Sequence, residues 1–284
     1  MLERIREMLA EQNIFLCGAI SLADCTVRKP YLLDRVGIGL DGSAVIFAIP
    51  YHTPACEDPG RNISRYAVSR DYHLFTKELS DALLPRLQEE FPRNRFAFFS
   101  DHSPIDEREA AVKCSLGVMG RNGLLITKPY SSYVFLGEII TDLPCRRLPP
   151  QDKLPTCRNC GACLAVCPMH TGKTEQCLSA LTQKKGTLTD RESETIRDTR
   201  ALWGCDICQE VCPHTVEAIR LGTITTPIPF FHRDPLPRLT YQAVADMTED
   251  TFSSRAYAWR GKTVILRNLA IGEEEYGEAE KTKD

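Results

Sequence analysis

Apolar positions follow two rhythms along the first half of the chain. SAVIFAIPY (43–51) and RFAFFSD (95–101) are short apolar runs, which predict buried strands. Between them, DYHLFTKELSDALLPRLQEEF places Leu79, Leu83, Leu87 and Phe91 four residues apart, an apolar stripe along one helix face. GLLIT (123–127) and YVFLGEIITD (133–142) predict two further strands joined by a KPYSS turn. The opening MLERIREMLAEQ predicts an amphipathic helix and lacks the basic start and apolar core of a secretory leader. Residues 1–145 therefore read as α/β.

The segment DHSPIDEREAAVKCSLG predicts a helix with Ser103 as N-cap, Pro104 in the first turn and Asp106 and Glu107 at the positive end of the dipole. Gly117 is placed to end it. Asp101 then lies where a strand ends and a helix is about to begin, the edge at which α/β sheets bind ligands.

Periodicity fades in DLPCRRLPPQDKLP (142–155), a proline-rich boundary loop. A cysteine-rich segment follows to residue 222, and residues 223–284 combine a proline-rich stretch, helices and a charged tail, EEEYGEAEKTKD, expected to be disordered. The composition, 43% hydrophobic and 26% charged over 284 residues, can supply a sizeable core. A net charge of -3 gives no global attraction to nucleic acid, though a local basic patch remains open. No apolar run approaches a membrane span.

Thirteen cysteines without a leader point to metal or redox chemistry in a reducing, cytoplasmic setting. CRNCGACLAVCP supplies Cys157, Cys160, Cys163 and Cys167, GCDICQEVCP supplies Cys205, Cys208 and Cys212, and Cys177 lies between them. Eight thiolates match two [4Fe–4S] clusters. In the bacterial ferredoxin arrangement the fourth cysteine of a run ligates the other cluster. One set is then Cys157, Cys160, Cys163 and Cys212, and the other Cys167, Cys177, Cys205 and Cys208. Structural zinc is the competing reading, but it usually uses two CxxC pairs. Cys17, Cys25, Cys56, Cys114 and Cys145 are expected to be small buried hydrophobes.

Two clusters form a wire that needs a terminus. No GxGxxG follows a strand, so no dinucleotide site is supported, and the acceptor falls to residues 1–145. In order, the chain carries SRYAVSRDYH (64–73), SDHSPIDER (100–108), GVMGRNGLLIT (117–127), FLGEIITD (135–142), the cysteine run, CLSALTQKKG (177–186), WGCDICQEVCP (203–213) and RGKTVILRNLAI (260–271). Together these blocks resemble the epoxyqueuosine reductase family, over residues 40 to 271.

The resemblance implies a mixed α+β/α/β fold. It has a nitroreductase-like domain for cobalamin and substrate (1–145), a ferredoxin-like domain for two [4Fe–4S] clusters (146–222) and a helical C-terminal extension (223–284). It implies removal of the epoxide oxygen of epoxyqueuosine in tRNA, by attack of reduced cobalamin on the epoxide carbon and protonation of the opening oxygen. The clusters pass two electrons, one at a time, from an external low-potential donor. Asp101 corresponds to the family's catalytic aspartate, with Pro104, Glu107 and Arg108 in register. An epoxide opening to an alkoxide calls for such an acid, kept protonated by burial. Arg65, Tyr66, Asp71, Tyr72 and His73 match the RYA-x-x-x-DYH block of the cobalamin and substrate pocket. Gly120, Arg121, Asn122 and Gly123 approach the cofactor through backbone, with Arg121 where many members have lysine; Gly137 and Glu138 are further candidates.

Longer members continue into helical repeats that bind tRNA, whereas this chain stops soon after Ile271. The backbone phosphates of the anticodon arm would then meet residues such as Arg61, Arg65, Arg70, Arg146, Arg147, Lys153, Lys184 and Lys185. The loop from Cys167 to Cys177 is short, and Ala180 stands where many members have tyrosine. Two other readings stay open: a cobalamin and iron–sulfur reductase of a small molecule, as in the reductive dehalogenases, and a ferredoxin-type electron carrier.

Overall fold

The computed structural model describes residues 2–145, 154–169 and 176–281, with side chains as far as residue 273. Helix α1 (Leu2–Glu11) buries Leu2, Ile5, Met8 and Leu9 along one stripe. Then come β1 (Cys17–Ser21), α2 (Pro30–Val36) and β2 (Ser43–Pro50). Asp71 caps α3 (Tyr72–Glu90) through the amide of His73 at 2.9 Å, and α3 buries Phe75, Leu79, Leu83 and Leu87 as its spacing predicts.

After α3 the chain forms β3 (Phe96–Phe99), α4 (Glu107–Lys113), the hairpin β4 (Gly117–Met119) and β5 (Leu125–Thr127), and β6 (Val134–Thr141). The cap of α4 is Asp106, whose side chain accepts the Glu109 amide at 3.1 Å. Ser103, expected in that role, accepts the Ile105 amide instead. Helix α4 ends at Cys114, and Gly117 opens a strand.

One sheet runs in the order β1-β2-β6-β3 with every neighbouring pair antiparallel. The mixed α/β reading of residues 1–145 holds, with an antiparallel sheet, and Asp101 lies between the end of β3 and the start of α4. Strands β5 and β6, expected as partners across a turn, lie in different sheets. Strand β2 is buried along its whole length, because α3 covers the face of Val45, Phe47 and Ile49 and α4 the face of Ala44, Ile46 and Ala48. Gly137 on β6 stands opposite Phe47, and a Cβ there would come within 2.5 Å of the phenylalanine ring. Its role is close packing.

The remaining helices are α5 (Ala162–Ala165), α6 (Leu178–Thr182), α7 (Asp190–Thr199), α8 (Ile207–Glu210), α9 (Pro213–Arg220), α10 (Tyr241–Ala245), α11 (Glu249–Ser253) and α12 (Lys262–Lys281). Helix α12 carries the backbone of the segment expected to be disordered as far as Lys281, consistent with its Glu, Ala and Lys content. Among the described residues no helix is long and apolar enough to cross a membrane.

The cores interleave distant parts of the chain. Ile228, Phe230 and Phe231 join the core of β2 and α3. Ile63, Ala67 and Val68 join that of Trp203, Tyr257 and Ile265. Asp206, between two cysteines, locks this arrangement. Its carboxylate, almost wholly buried, accepts the Arg65 amide and the Ser64 hydroxyl at 2.7 Å each and the Gln209 amide at 2.9 Å. Arg61 reaches it at 3.3 Å and Glu210 at 2.7 Å, while Arg65 pairs with Glu210 and with Glu57 at 3.0 Å.

Two predictions follow from this packing. Gly137→Ala drives a methyl group into Phe47 and lowers unfolding free energy by ~1–3 kcal/mol in a denaturant titration. Asp206→Ala leaves two guanidinium groups without their shared anion and costs ~3–5 kcal/mol in the same measurement.

Candidate functional site

The cysteine runs wind through short helices. Gly161, with φ of 76°, turns the chain into α5 after Cys160, and Pro213 opens α9 directly after Cys212. One cavity is lined by Cys157, Cys160, Cys163 and Cys212, and a second by Cys167, Cys177, Cys205 and Cys208, with Cys163 on both. Among the described residues no three His, Cys, Asp or Glu side chains converge on a point that could hold a single metal ion. Thiols spread round a cavity in fours suit a four-iron cube better than one tetrahedral zinc. Burial pushes the Cys205 thiol up to about 12 and Cys208 to about 11, and the charge of a bound metal is what would make them thiolates. Cys17, Cys25 and Cys114 lie outside both cavities, with thiols pushed up to about 11, 11 and 12 by burial.

The second cavity, of about 300 Å³, opens from the thiols onto an aromatic wall that includes Tyr51, Tyr66 and Phe135. Phe135 is the hub of this wall. Its ring stacks on Tyr72 with centroids 3.9 Å apart and lies 4.5 Å from that of Tyr51. Tyr66 is fixed by the Trp203 indole N–H, donated to its hydroxyl at 2.8 Å. Arg108 and Asn122 supply the polar lining, and Asn122 Nδ2 stands 3.9 Å from Cys208 Sγ. Apolar walls with a few fixed polar groups suit a large, flat organic cofactor.

Beside this wall stands the turn carrying Asp101, an exposed residue with φ of 62°. A positive φ is unusual for a residue with a side chain and often marks a functional turn. The turn is tethered by Ser100, whose hydroxyl donates to Leu136 O at 2.8 Å, and by Pro104 O, which accepts the amides of Arg28 and Lys29 at 2.8 and 3.0 Å. The charge of Asp101 is felt by Tyr66, Tyr72 and His73. The burial anticipated for Asp101 falls instead on two neighbours. Glu138 is wholly enclosed, and burial pushes its carboxyl up to about 8. Burial, then the charge of Asp101, pushes Glu107 up to about 7.

Of the residues singled out in the sequence, Tyr66, Asn122 and Gly123 line the large cavity, and Gly120, Arg121 and Asn122 the smaller one. Tyr72 backs the wall through Phe135. Three expectations are corrected. Arg65 is committed to Asp206, Glu57 and Glu210, away from either cavity. Asp71 caps α3 and pairs with His73 Nδ1 at 2.8 Å. Gly137 packs on Phe47. Among the basic candidates, Arg61 is held in the Asp206 network, Arg70 lies over the Phe230 ring and Lys184 pairs with Glu192 at 2.7 Å, whereas Lys185 lines an open cleft with Arg260. Arg146, Arg147, Lys153 and much of the Cys167–Cys177 loop lie outside the described residues. Pattern reading did not bring out Tyr51, Phe135 and Asp206. Tyr51 ends the SAVIFAIPY run, and Phe135 and Asp206 lie within the FLGEIITD and WGCDICQEVCP blocks, where nothing marked them apart from their neighbours.

Comparison with known proteins agrees with this geometry. Residues 41–102 match the family model described as "Epoxyqueuosine reductase QueG", and residues 156–215 match the "4Fe-4S double cluster binding domain". The epoxyqueuosine reductase of Gloeobacter violaceus is 32% identical over 240 residues, covering 81% of this chain and 73% of that protein. That of Escherichia coli is 32% identical over 220 residues, covering 74% and 56%. The chain spans 54% to 60% of three further relatives. The fold is similar to a solved epoxyqueuosine reductase from Streptococcus thermophilus, with TM-score 0.74, 23% identity and coverage of 96% of this chain and 80% of that one. It is less similar to a catabolic reductive dehalogenase, with TM-score 0.51, 15% identity and coverage of 80% and 34%. Identity above 30% across most of the Gloeobacter protein decides the matter: the chain belongs to the epoxyqueuosine reductase family.

Proposed function

We propose that this protein removes the epoxide oxygen of epoxyqueuosine in tRNA, leaving the alkene of queuosine, in the cytoplasm. The observation that carries the reading is a juxtaposition. Eight thiols line two adjoining cavities that share Cys163, the second of these cavities has an aromatic wall, and an aspartate on a tethered turn stands beside that wall.

In this reading the first cluster is held by Cys157, Cys160, Cys163 and Cys212, and the second by Cys167, Cys177, Cys205 and Cys208. The wire runs from the smaller cavity to the larger, and the ferredoxin-like segment docks on a nitroreductase-like one through the Asp206 network. Tyr66, Phe135 and Asn122 wall the space for cobalamin, whose reduced form would supply the electron pair at the epoxide carbon. Asn122, on both cavities, would orient the Cys208 thiol through its Nδ2, 3.9 Å from Sγ. Arg108, held by Gly123 O at 3.3 Å, places a fixed positive charge where negative charge gathers on the opening oxygen. Asp101 delivers a proton to that oxygen. A solved epoxyqueuosine reductase with an epoxyqueuosine-modified tRNA stem loop has a TM-score of 0.75 to this chain, which supports a common fold.

The test is nucleoside mass spectrometry on epoxyqueuosine-containing tRNA. It uses oxygen-free protein loaded with iron, sulfide and cobalamin and supplied with a low-potential reductant. The expected result is loss of one oxygen, reduced by ~10²–10⁴-fold in Asp101→Asn. An unchanged nucleoside from fully loaded protein would overturn the tRNA reading in favour of a small-molecule substrate.

A further inference from the structure

Two carboxyl groups beneath the Asp101 turn have no part in the reading above. Glu138 projects from the centre of the sheet, in register with Ile46 on one side and Phe99 on the other. It is completely buried, and neither of its oxygens has a hydrogen-bond partner. The Ser103 hydroxyl lies beside it without closing a bond of normal length. Glu107 opens α4, with one oxygen sealed in and unpartnered and its carboxyl facing the Asp101 amide.

The charged and titratable groups around the pair are few. Glu138 faces Glu107, Lys29 and Cys25, and Lys29 Nζ is engaged by His102 Nδ1 at 3.0 Å. Glu107 faces Asp101, Asp106, Arg108, Glu138 and Tyr72. Arg28, the other cation of this corner, pairs with Asp106 at 2.9 Å. An unpartnered carboxylate in such a place is costly, so burial keeps a proton on Glu138 up to about pH 8 and on Glu107 up to about pH 7. No cation site takes their place, since no three such side chains among the described residues converge on one ion.

Those protons have a use. Removing an epoxide oxygen as water, with a carbon–carbon double bond left behind, consumes two electrons and two protons. The electrons come from the external donor through the clusters. One proton is the one Asp101 delivers in the reading above, and substrate seated over its turn would shut out water. We propose that Glu107 and Glu138 store the second proton and pass it through Asp101 to the departing oxygen. Asp101 gives its proton to the opened oxygen, Glu107 reprotonates Asp101 and Glu138 reprotonates Glu107; Asp101 then gives the second proton as the oxygen leaves as water, and solvent restores Asp101 and Glu138 after release. The inference rests on Asp101 as the acid.

The test compares Glu107→Gln, Glu138→Gln and Asp101→Asn in the fully loaded enzyme, each checked for iron content and folded secondary structure. Isotope-edited infrared spectra of wild type should show protonated glutamate carbonyl bands at pH 6 that disappear as pH rises through about 7 and 8, with one component missing from each Gln variant. Because folded Glu138 binds its proton more tightly than the unfolded chain does, the wild-type melting temperature should fall from about pH 5 to 8. Glu138→Gln should flatten that fall. Turnover in either Gln variant should drop ~10-fold or more at unchanged KM, with the alkaline limb of the pH profile displaced. Folded Gln variants with wild-type kcat and pH profile, beside an inactive Asp101→Asn, would overturn the reservoir and leave Asp101 as the acid. An active Asp101→Asn would instead overturn the acid itself.

Discussion

One buried carboxylate holds the candidate site together. Asp206 sits between Cys205 and Cys208, yet all its partners but Gln209 come from the segment after β2. Its ion pairs and hydrogen bonds fix a cysteine loop against the aromatic cavity at hydrogen-bond precision. Such precision matters for electron transfer, and an apolar contact would not impose a register. The network also explains why Arg61 and Arg65 are not free charges. Each pairs with Asp206, which the packing buries, and with the more exposed Glu210, and Arg65 pairs with Glu57 as well.

The interleaved cores serve the same end. Phe230 and Phe231 return from late in the chain to pack under β2 and α3, while residues 63–68 leave the first segment to pack under Trp203. Neither half of the cavity is complete without chain from the other. The aromatic wall is built on this exchange: Phe135 lies on the sheet, Tyr66 is pinned by Trp203, and Tyr72 stands at the start of a capped helix. Thiols lie beside the apolar wall, and Glu107 and Glu138 are grouped under the Asp101 turn.

What the sequence made legible was local. The four-residue step of Leu79, Leu83 and Leu87 gave α3, and the apolar runs gave β2, β3 and β6, because each pattern needs only its own neighbours. The spacing of the cysteines marked the ligand candidates, and all eight line the two cavities, with Cys163 on both. Strand pairing was not legible, since antiparallel order depends on register between segments far apart in the chain. Ser103 and Asp106 are both good caps, and tertiary bonds from Arg28 and Lys29 to Pro104 O decided between them. Arg65 and Gly137 stood in promising blocks, but a block says nothing of which way a side chain faces. Glu138 was the reverse: a charge inside FLGEIIT is a conspicuous break in a buried strand. Its meaning appeared only with the sheet around it.

The central claim is that two rings of four cysteines and one aromatic cavity form a single electron path ending beside Asp101. The most direct measurement is crystallography of the loaded protein, grown without oxygen, with anomalous data at the iron and cobalt edges. The account predicts two four-iron peaks, one within Cys157, Cys160, Cys163 and Cys212 and one within Cys167, Cys177, Cys205 and Cys208, with a cobalt peak in the cavity walled by Tyr66 and Phe135. A single cluster, zinc in either ring, or cobalt bound elsewhere would contradict it.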